Sequence, residues 1–195
     1  MRNLGLIGGL SWASTAIYYE KINRGVMQRL GARHSAHLLM ESFDFEPIAQ
    51  AQTAGEWDAL GTQLADSARR LQTAGADGIV LCSNTMHKLY GPLSDAVDVP
   101  VLHIGDVTAK AMQDANVSRA ALLGTRFTMS EGFLRDRLKS HGIDLAIPDP
   151  DRMAEIDRII FEELVLGEAR VESKRTMKTF FANLEKAGNE AVVLG

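Results

Sequence analysis

The sequence has a single cysteine, Cys82, in 195 residues, so an internal disulfide, redox exchange within the chain and a multi-cysteine zinc site are all excluded. A lone thiol suits a reducing compartment, and the expected location is cytoplasmic. Runs of like charge are missing too. Lys and Arg number 21 against 25 Asp and Glu, a net charge of -4 with no block of five, and no nucleic-acid partner is expected. The apolar run that follows Met1 is far too short for a signal-peptide core or a membrane span, so no membrane partner is expected either. The glycines at 5, 8 and 9 do not spell Gly-x-Gly-x-x-Gly or a phosphate-binding Gly-Lys-Ser loop, and dinucleotide and NTP sites lose support.

What is present is globular: 46% of residues are hydrophobic and 24% charged, over a length that suits one domain or two small lobes. Short aliphatic runs alternate with long segments of helical period, the pattern of an α/β fold with mostly parallel sheets flanked by helices. Strands are expected at Leu4 to Ile7, His37 to Glu41, Gly78 to Cys82, Val101 to Ile104, Ala120 to Leu123, Ile143 to Ile147 and Glu190 to Leu194. Four apolar stripes predict helices whose stripes form core. They are Ile17, Tyr18, Ile22, Val26 and Leu30 before Gly31; Trp57, Leu60, Leu64, Ala68 and Leu71 before Gly75; Met153, Ile156, Ile160 and Leu164 before Gly167; and Met177, Phe180, Phe181 and Leu184 before Gly188.

An internal echo organises these elements. Residues 4 to 11 resemble residues 121 to 128, each an apolar strand running into a Gly-containing turn, and Gly78 to Ser83 resembles Ala191 to Gly195. Two similar α/β lobes are expected, residues 1-104 and 105-195, joined near Pro100 to Lys110. In the first lobe the later strand delivers Cys82, Ser83, Asn84 and Thr85 at its C-terminal end, where parallel sheets bind ligands. In the second lobe the sequence reaches Gly195 where that cluster should begin, so further residues are expected after Gly195.

Two segments can carry chemistry. Gly8, Gly9, Leu10 and Ser11 let backbone approach a ligand beside a helix N-terminus, or form a tight turn with Ser11 or Ser14 as N-cap. Cys82-Ser83-Asn84-Thr85 offers an acid or base, an amide and hydroxyls, or a buried cysteine followed by a helix cap. His87 and Lys88 are expected at the surface, in the first turn of the helix beyond.

Three ordered motifs, Gly-Leu-Ile-Gly-Gly-Leu-Ser-Trp at 5 to 12, Cys-Ser-Asn-Thr-Met-His-Lys at 82 to 88 and Leu-Gly-Thr-Arg-Phe-Thr-Met at 123 to 129, resemble the aspartate/glutamate racemase family. The resemblance is greatest to its bacterial branch of broad-specificity amino-acid racemases, and it extends through Ile-Ile-Phe-Glu-Glu-Leu at 159 to 164. It implies racemisation without a cofactor, neither pyridoxal phosphate nor a metal. One side chain removes the α-proton while another, on the opposite face, returns it. The active site would lie in the cleft between the lobes of a homodimer's subunit, and the partner is a small amino-acid substrate.

Carried over position by position, the resemblance puts the first proton carrier on Ser83, where many members have cysteine and this branch can have threonine. A hydroxyl is a weaker acid than a thiol of pKa about 8.5, so exchange through Ser83 should be slower or more one-sided. Cys82 then stands behind the site. The second carrier would be a cysteine just past Gly195. Asn84 and Thr85, with Thr125 and Thr128 in the second lobe, match positions that hold the substrate, and Leu10 and Gln52 match positions lining the pocket. For Gln52 a plain surface position is the competing reading. Aspartate-specific members bring basic groups to the second carboxylate, but Gln52 and Val165 stand where the resemblance would place one, which leaves the substrate open between acidic and related amino acids. Two other functions stay in view: a related isomerase or decarboxylase with one proton donor, and a non-catalytic protein binding a small amino acid or dicarboxylate.

Overall fold

A computed structural model describes residues 2-195 and divides the chain into two compact units, one ending at His103 and the other running from Ile104 to Gly195. The first unit is built on β1 (Leu4–Gly8), β2 (Leu38–Ser42), β3 (Gly78–Leu81) and β4 (Val101–Leu102), all parallel in the order β2-β1-β3-β4. Its helices are α1 (Trp12–Leu30), α2 (Phe45–Ala54), α3 (Trp57–Thr73) and α4 (Tyr90–Asp95), with a 3-10 turn at Thr85–Leu89. Leu60, Leu64, Ala68 and Leu71 of α3 are buried on Ile7, Ile79 and Leu81, so this stripe is core as its period predicts.

The second unit holds β5 (Arg119–Leu123), β6 (Asp144–Ala146) and β7 (Ala191–Leu194), parallel in the order β6-β5-β7. Around them lie α5 (Ile104–Asp114), α6 (Arg126–Ser130), α7 (Gly132–Ser140), α8 (Pro150–Glu162) and α9 (Val171–Lys186). Alternate residues of β5 serve two cores. Ala120 and Leu122 pack with Met112, Leu134 and Leu138 of α5 and α7, while Leu123 packs with Met129 and Ile156 against α8 and α9. A strand covered on both faces needs a continuous apolar run, which Ala-Ala-Leu-Leu supplies.

The two sheets repeat one register. β3 pairs beside β1 with Leu81 opposite Ile7, and β7 pairs beside β5 with Leu194 opposite Leu123. The next residue donates to the partner strand in both: Cys82 N–H to the Ile7 carbonyl, Gly195 N–H to the Leu123 carbonyl. Cys82 and Gly195 are therefore structural counterparts, as are Gly8 and Gly124.

Four expectations are corrected. Ile104 is the first residue of α5, not the end of a strand, because β4 pairs with β3 only through Val101 and Leu102. The stripe of α1 is not core: Thr15 is the helix's one buried residue, Tyr18, Ile22 and Val26 are only partly buried, and Ile17 and Leu30 are 56% and 54% exposed. Leu164 lies outside α8 in a 3-10 turn and is exposed, since Glu163 leaves helical geometry to bury its carboxylate. Phe181 of α9 is also exposed, and only Met177, Phe180 and Leu184 reach the core.

Candidate active site

In the first sheet the adjacent strands β1 and β3 both end in polar turns, and in the second sheet β5 does. In the first unit the chain leaves β1 through Gly8 to Ser11. Gly9 has φ +74°, and a Cβ there would meet the Phe43 backbone within 2.3 Å. Only glycine fits that position. Ser11 has φ 150° and caps α1, its hydroxyl accepting from Ser14 N–H. Thr15 holds this turn from inside, its Oγ1 accepting from Gly9 N–H at 2.9 Å and donating to the Ser11 carbonyl at 3.0 Å. No periodicity or motif signals that role. Thr15 also fills the space beside Gly8, where a Cβ would lie 2.4 Å from its Cγ2.

Beside this turn, one strand over, β3 ends in Cys82 to Thr85. Cys82 has no exposed surface, and burial pushes its thiol up to about 12, where it is protonated and inert at neutral pH. Tyr18 of α1 is raised to about 12 as well, first by burial and then by the proximity of Cys82. Ser83 and Asn84 are half-buried and Thr85 is buried. The Ser83 hydroxyl accepts from Met86 N–H at 3.4 Å.

Of the two residues matched to a pocket wall, Leu10 is 5% exposed and packs in the apolar cluster with Ile48, Leu60 and Leu64. Gln52 is also 5% exposed, which overturns the surface reading, and its Nε2 donates to the Met86 sulfur at 3.1 Å. This bond ties α2 to the turn that carries Ser83. His87 corrects a second surface reading: it is 3% exposed because the 3-10 turn points its ring inward, with Nδ1 2.7 Å from the Ser83 carbonyl.

In the second unit Gly124 takes the place of Gly8. A Cβ there would lie 3.0 Å from Thr128 Cγ2, much as Gly8 is shadowed by Thr15. Thr125 caps α6, accepting from Thr128 N–H at 3.3 Å, and the two hydroxyls are 3.1 Å apart. Thr125 is half-buried and Thr128 fully buried. A groove of 440 Å³ opens beside these residues, lined by Ile156, Met177, Phe181, Leu194 and Gly195 among others. Its wall is too apolar to hold a zwitterion by itself. Among the described residues no group of three or more His, Cys, Asp or Glu is placed to hold a metal ion, and no helix is long and apolar enough to cross a membrane.

The family model of Asp/Glu/hydantoin racemases matches residues 7–195. The broad-specificity amino-acid racemase RacX of Bacillus subtilis (strain 168) is 26% identical over 149 residues, 75% of this chain and 64% of the relative, so the chain spans under two thirds of that curated protein. A crystal structure of a Yersinia pestis protein, given as a candidate Asp/Glu racemase, superposes with TM-score 0.90 at 41% identity, covering 100% of this chain and 85% of the other. An aspartate racemase homologue from Pyrococcus horikoshii OT3 superposes with TM-score 0.82 at 29% identity, with the same two coverages. With the model matched over nearly its whole length, the chain belongs to the Asp/Glu/hydantoin racemase family.

Proposed function

We propose that this protein racemises an acidic or related amino acid by two-base proton transfer at the α-carbon, with Ser83 as the carrier of the first unit. The observation that carries the proposal is the repeated register. In the two parallel sheets β1 and β5 end in polar turns at equivalent positions, and Ser83 stands one residue past Cys82, the counterpart of Gly195. By the same count the position equivalent to Ser83 in the second unit is one residue past Gly195, where the family resemblance expects a cysteine.

Proton transfer at a stereocentre needs a group on each face, and needs the substrate carboxylate held while charge develops on the α-carbon. Asn84 and Thr85 supply amide and hydroxyl beside Ser83. Thr125 and Thr128 supply paired hydroxyls in the second unit. Leu10 and Gln52 are assigned to the pocket wall. The broad specificity of the Bacillus relative and the aspartate reading of the Pyrococcus homologue together favour a small acidic amino acid, aspartate or glutamate first. A cytoplasmic homodimer belongs to the same reading, and sedimentation of the full-length protein measures the second half of it.

The test is isotopic. Full-length protein in D2O should place deuterium on the α-carbon of L-aspartate or L-glutamate and accumulate the D-enantiomer. Folded protein that does neither with a panel of amino acids overturns the proposal. Loss of CO2, or double-bond isomerisation without racemisation, transfers the site to the related one-donor enzyme, and calorimetric binding with no exchange transfers it to a binding protein.

A further inference from the structure

We propose that His87 is a positioning residue, whose imidazole fixes the peptide carrying Ser83 and thereby the direction of the Ser83 hydroxyl; this rests on the reading of Ser83 as proton carrier. A carbonyl oxygen only accepts, so the 2.7 Å contact requires a proton on His87 Nδ1 and sets the tautomer. The peptide unit is planar, so holding the Ser83 oxygen also fixes the opposed Asn84 N–H. The ring thus orients two groups of the proposed site at once.

Local bonding shows why this side chain is needed. Met86 N–H goes to the Ser83 hydroxyl and His87 N–H to the Asn84 carbonyl, and the Ser83 carbonyl is taken by the imidazole. The Ser83 hydroxyl accepts from Met86 at only 3.4 Å, a long bond that does little by itself to hold a rotamer. The short bond is the one from His87.

The ring is itself held. His103, 6% exposed at the end of β4, meets His87 edge-on with ring centroids 4.9 Å apart. Tyr90 meets His103 at 4.6 Å, and its hydroxyl donates to the Val101 carbonyl at 3.1 Å. The stack joins the backbone of β4 to the backbone of Ser83. Edge-to-face contacts of this kind limit tilt and rotation of each ring. A proton carrier displaced by about 1 Å loses about 100-fold in rate, so rigidity here has kinetic weight.

The experiment compares His87→Asn with His87→Gln, because Asn places its amide where Nδ1 stands and Gln places it near Nε2. α-Hydrogen exchange in D2O by the full-length protein is expected to keep most of kcat in His87→Asn and lose about 100-fold in His87→Gln and His87→Leu, with KM changed by less than about threefold. In a Ser83→Ala background the His87 changes should add nothing, since their effect runs through Ser83. Nitrogen-15 NMR of the wild-type imidazole should show a proton on Nδ1. Equal kcat in the Asn and Gln variants, a loss confined to KM or to stability, additive loss on Ser83→Ala, or a bare Nδ1 would each overturn the proposal. If Ser83→Ala itself keeps full exchange, the reading of Ser83 fails and this one with it. If Ser83→Ala abolishes exchange while Asn and Gln are equal, only the role of His87 fails.

Discussion

Cys82 and Ser83 are consecutive in the chain and stand in opposite environments: the thiol is sealed in the core with its pKa pushed up to about 12, the hydroxyl is half-buried at the strand end. On the proposed assignment of Ser83, the more acidic group is kept out of the chemistry by a single residue step. Native protein should leave Cys82 unmodified by iodoacetamide and yield one alkylated site once unfolded. Ser83→Cys should react in the native state and raise the α-exchange rate by about tenfold, since a thiol of ordinary pKa about 8.5 is a far better proton carrier than a hydroxyl. Rapid alkylation of native wild type, or a slower Ser83→Cys enzyme, would count against this division.

The same burial predicts an alkaline weakness. Cys82 and Tyr18 titrate higher in the fold, each near 12, than in the unfolded chain, so both favour the protonated, folded form. Their contribution is full below pH 9 and is lost as pH rises toward about 12. Denaturant unfolding across this range should show stability falling with pH, and Cys82→Ala should flatten the early part of the fall. An unchanged profile in that variant would rule the thiol out as the cause.

Gly9→Ala should cost at least about 2 kcal/mol, because it adds a side chain at positive φ and drives it into the Phe43 backbone. Gly55→Ala is the control: its φ is also positive, at +76°, but a Cβ there meets nothing within 4 Å. The difference between the two variants in denaturant midpoint isolates the backbone contact. Equal losses would mean that φ alone matters.

Gln52 separates pocket from scaffold. Among the described residues its side chain hydrogen-bonds only to the Met86 sulfur, a weak acceptor, so Gln52→Leu should change unfolding free energy by less than about 1 kcal/mol. If the side chain also faces substrate, as its family position implies, KM should rise several-fold in the same variant. A stability loss with unchanged KM would leave Gln52 as scaffold only.

Period and composition reached the strands and the stripe of α3, because those residues bury against one another whatever lies further along the chain. The echo of the two sheets was visible because Ile-Val-Leu and Val-Val-Leu each form a parallel strand in the same register beside its neighbour, although only the first is mostly buried: Leu194 is 67% exposed. What failed was sidedness. Nothing in the letters of α1 says that Thr15 rather than Ile17 turns inward, since that depends on Gly8 leaving room for it. His87 reads as surface until the chain tightens into a 3-10 turn, and Thr15 reads as helix filler until two backbone groups converge on its hydroxyl. Polar residues with such roles carry no periodic signature, and local chain geometry decides them.

Glu163 carries the last prediction, and it too was hidden in an apparently regular helix. Its carboxylate is fully buried and accepts from Ser173 Oγ at 2.6 Å and Arg170 N–H at 2.8 Å, with the guanidinium groups of Arg158 and Arg170 at 3.7 and 3.9 Å. The Ser173 hydrogen bond, joined by Arg170, holds the carboxyl below its ordinary value of 4.5. Its contribution is therefore complete above pH 4.5 and lost as pH falls through the lowered value. Glu163→Gln keeps the shape and removes the charge, so at pH 7 it should lower the melting temperature by about 5 °C, and the gap to wild type should close as pH is taken toward 3. Ser173→Ala should give a similar loss at pH 7, since it leaves a buried carboxylate short of a donor. A melting gap for Glu163→Gln that stays constant from pH 7 to 3 would show that packing, and not the ionised carboxylate, pins the segment between α8 and α9.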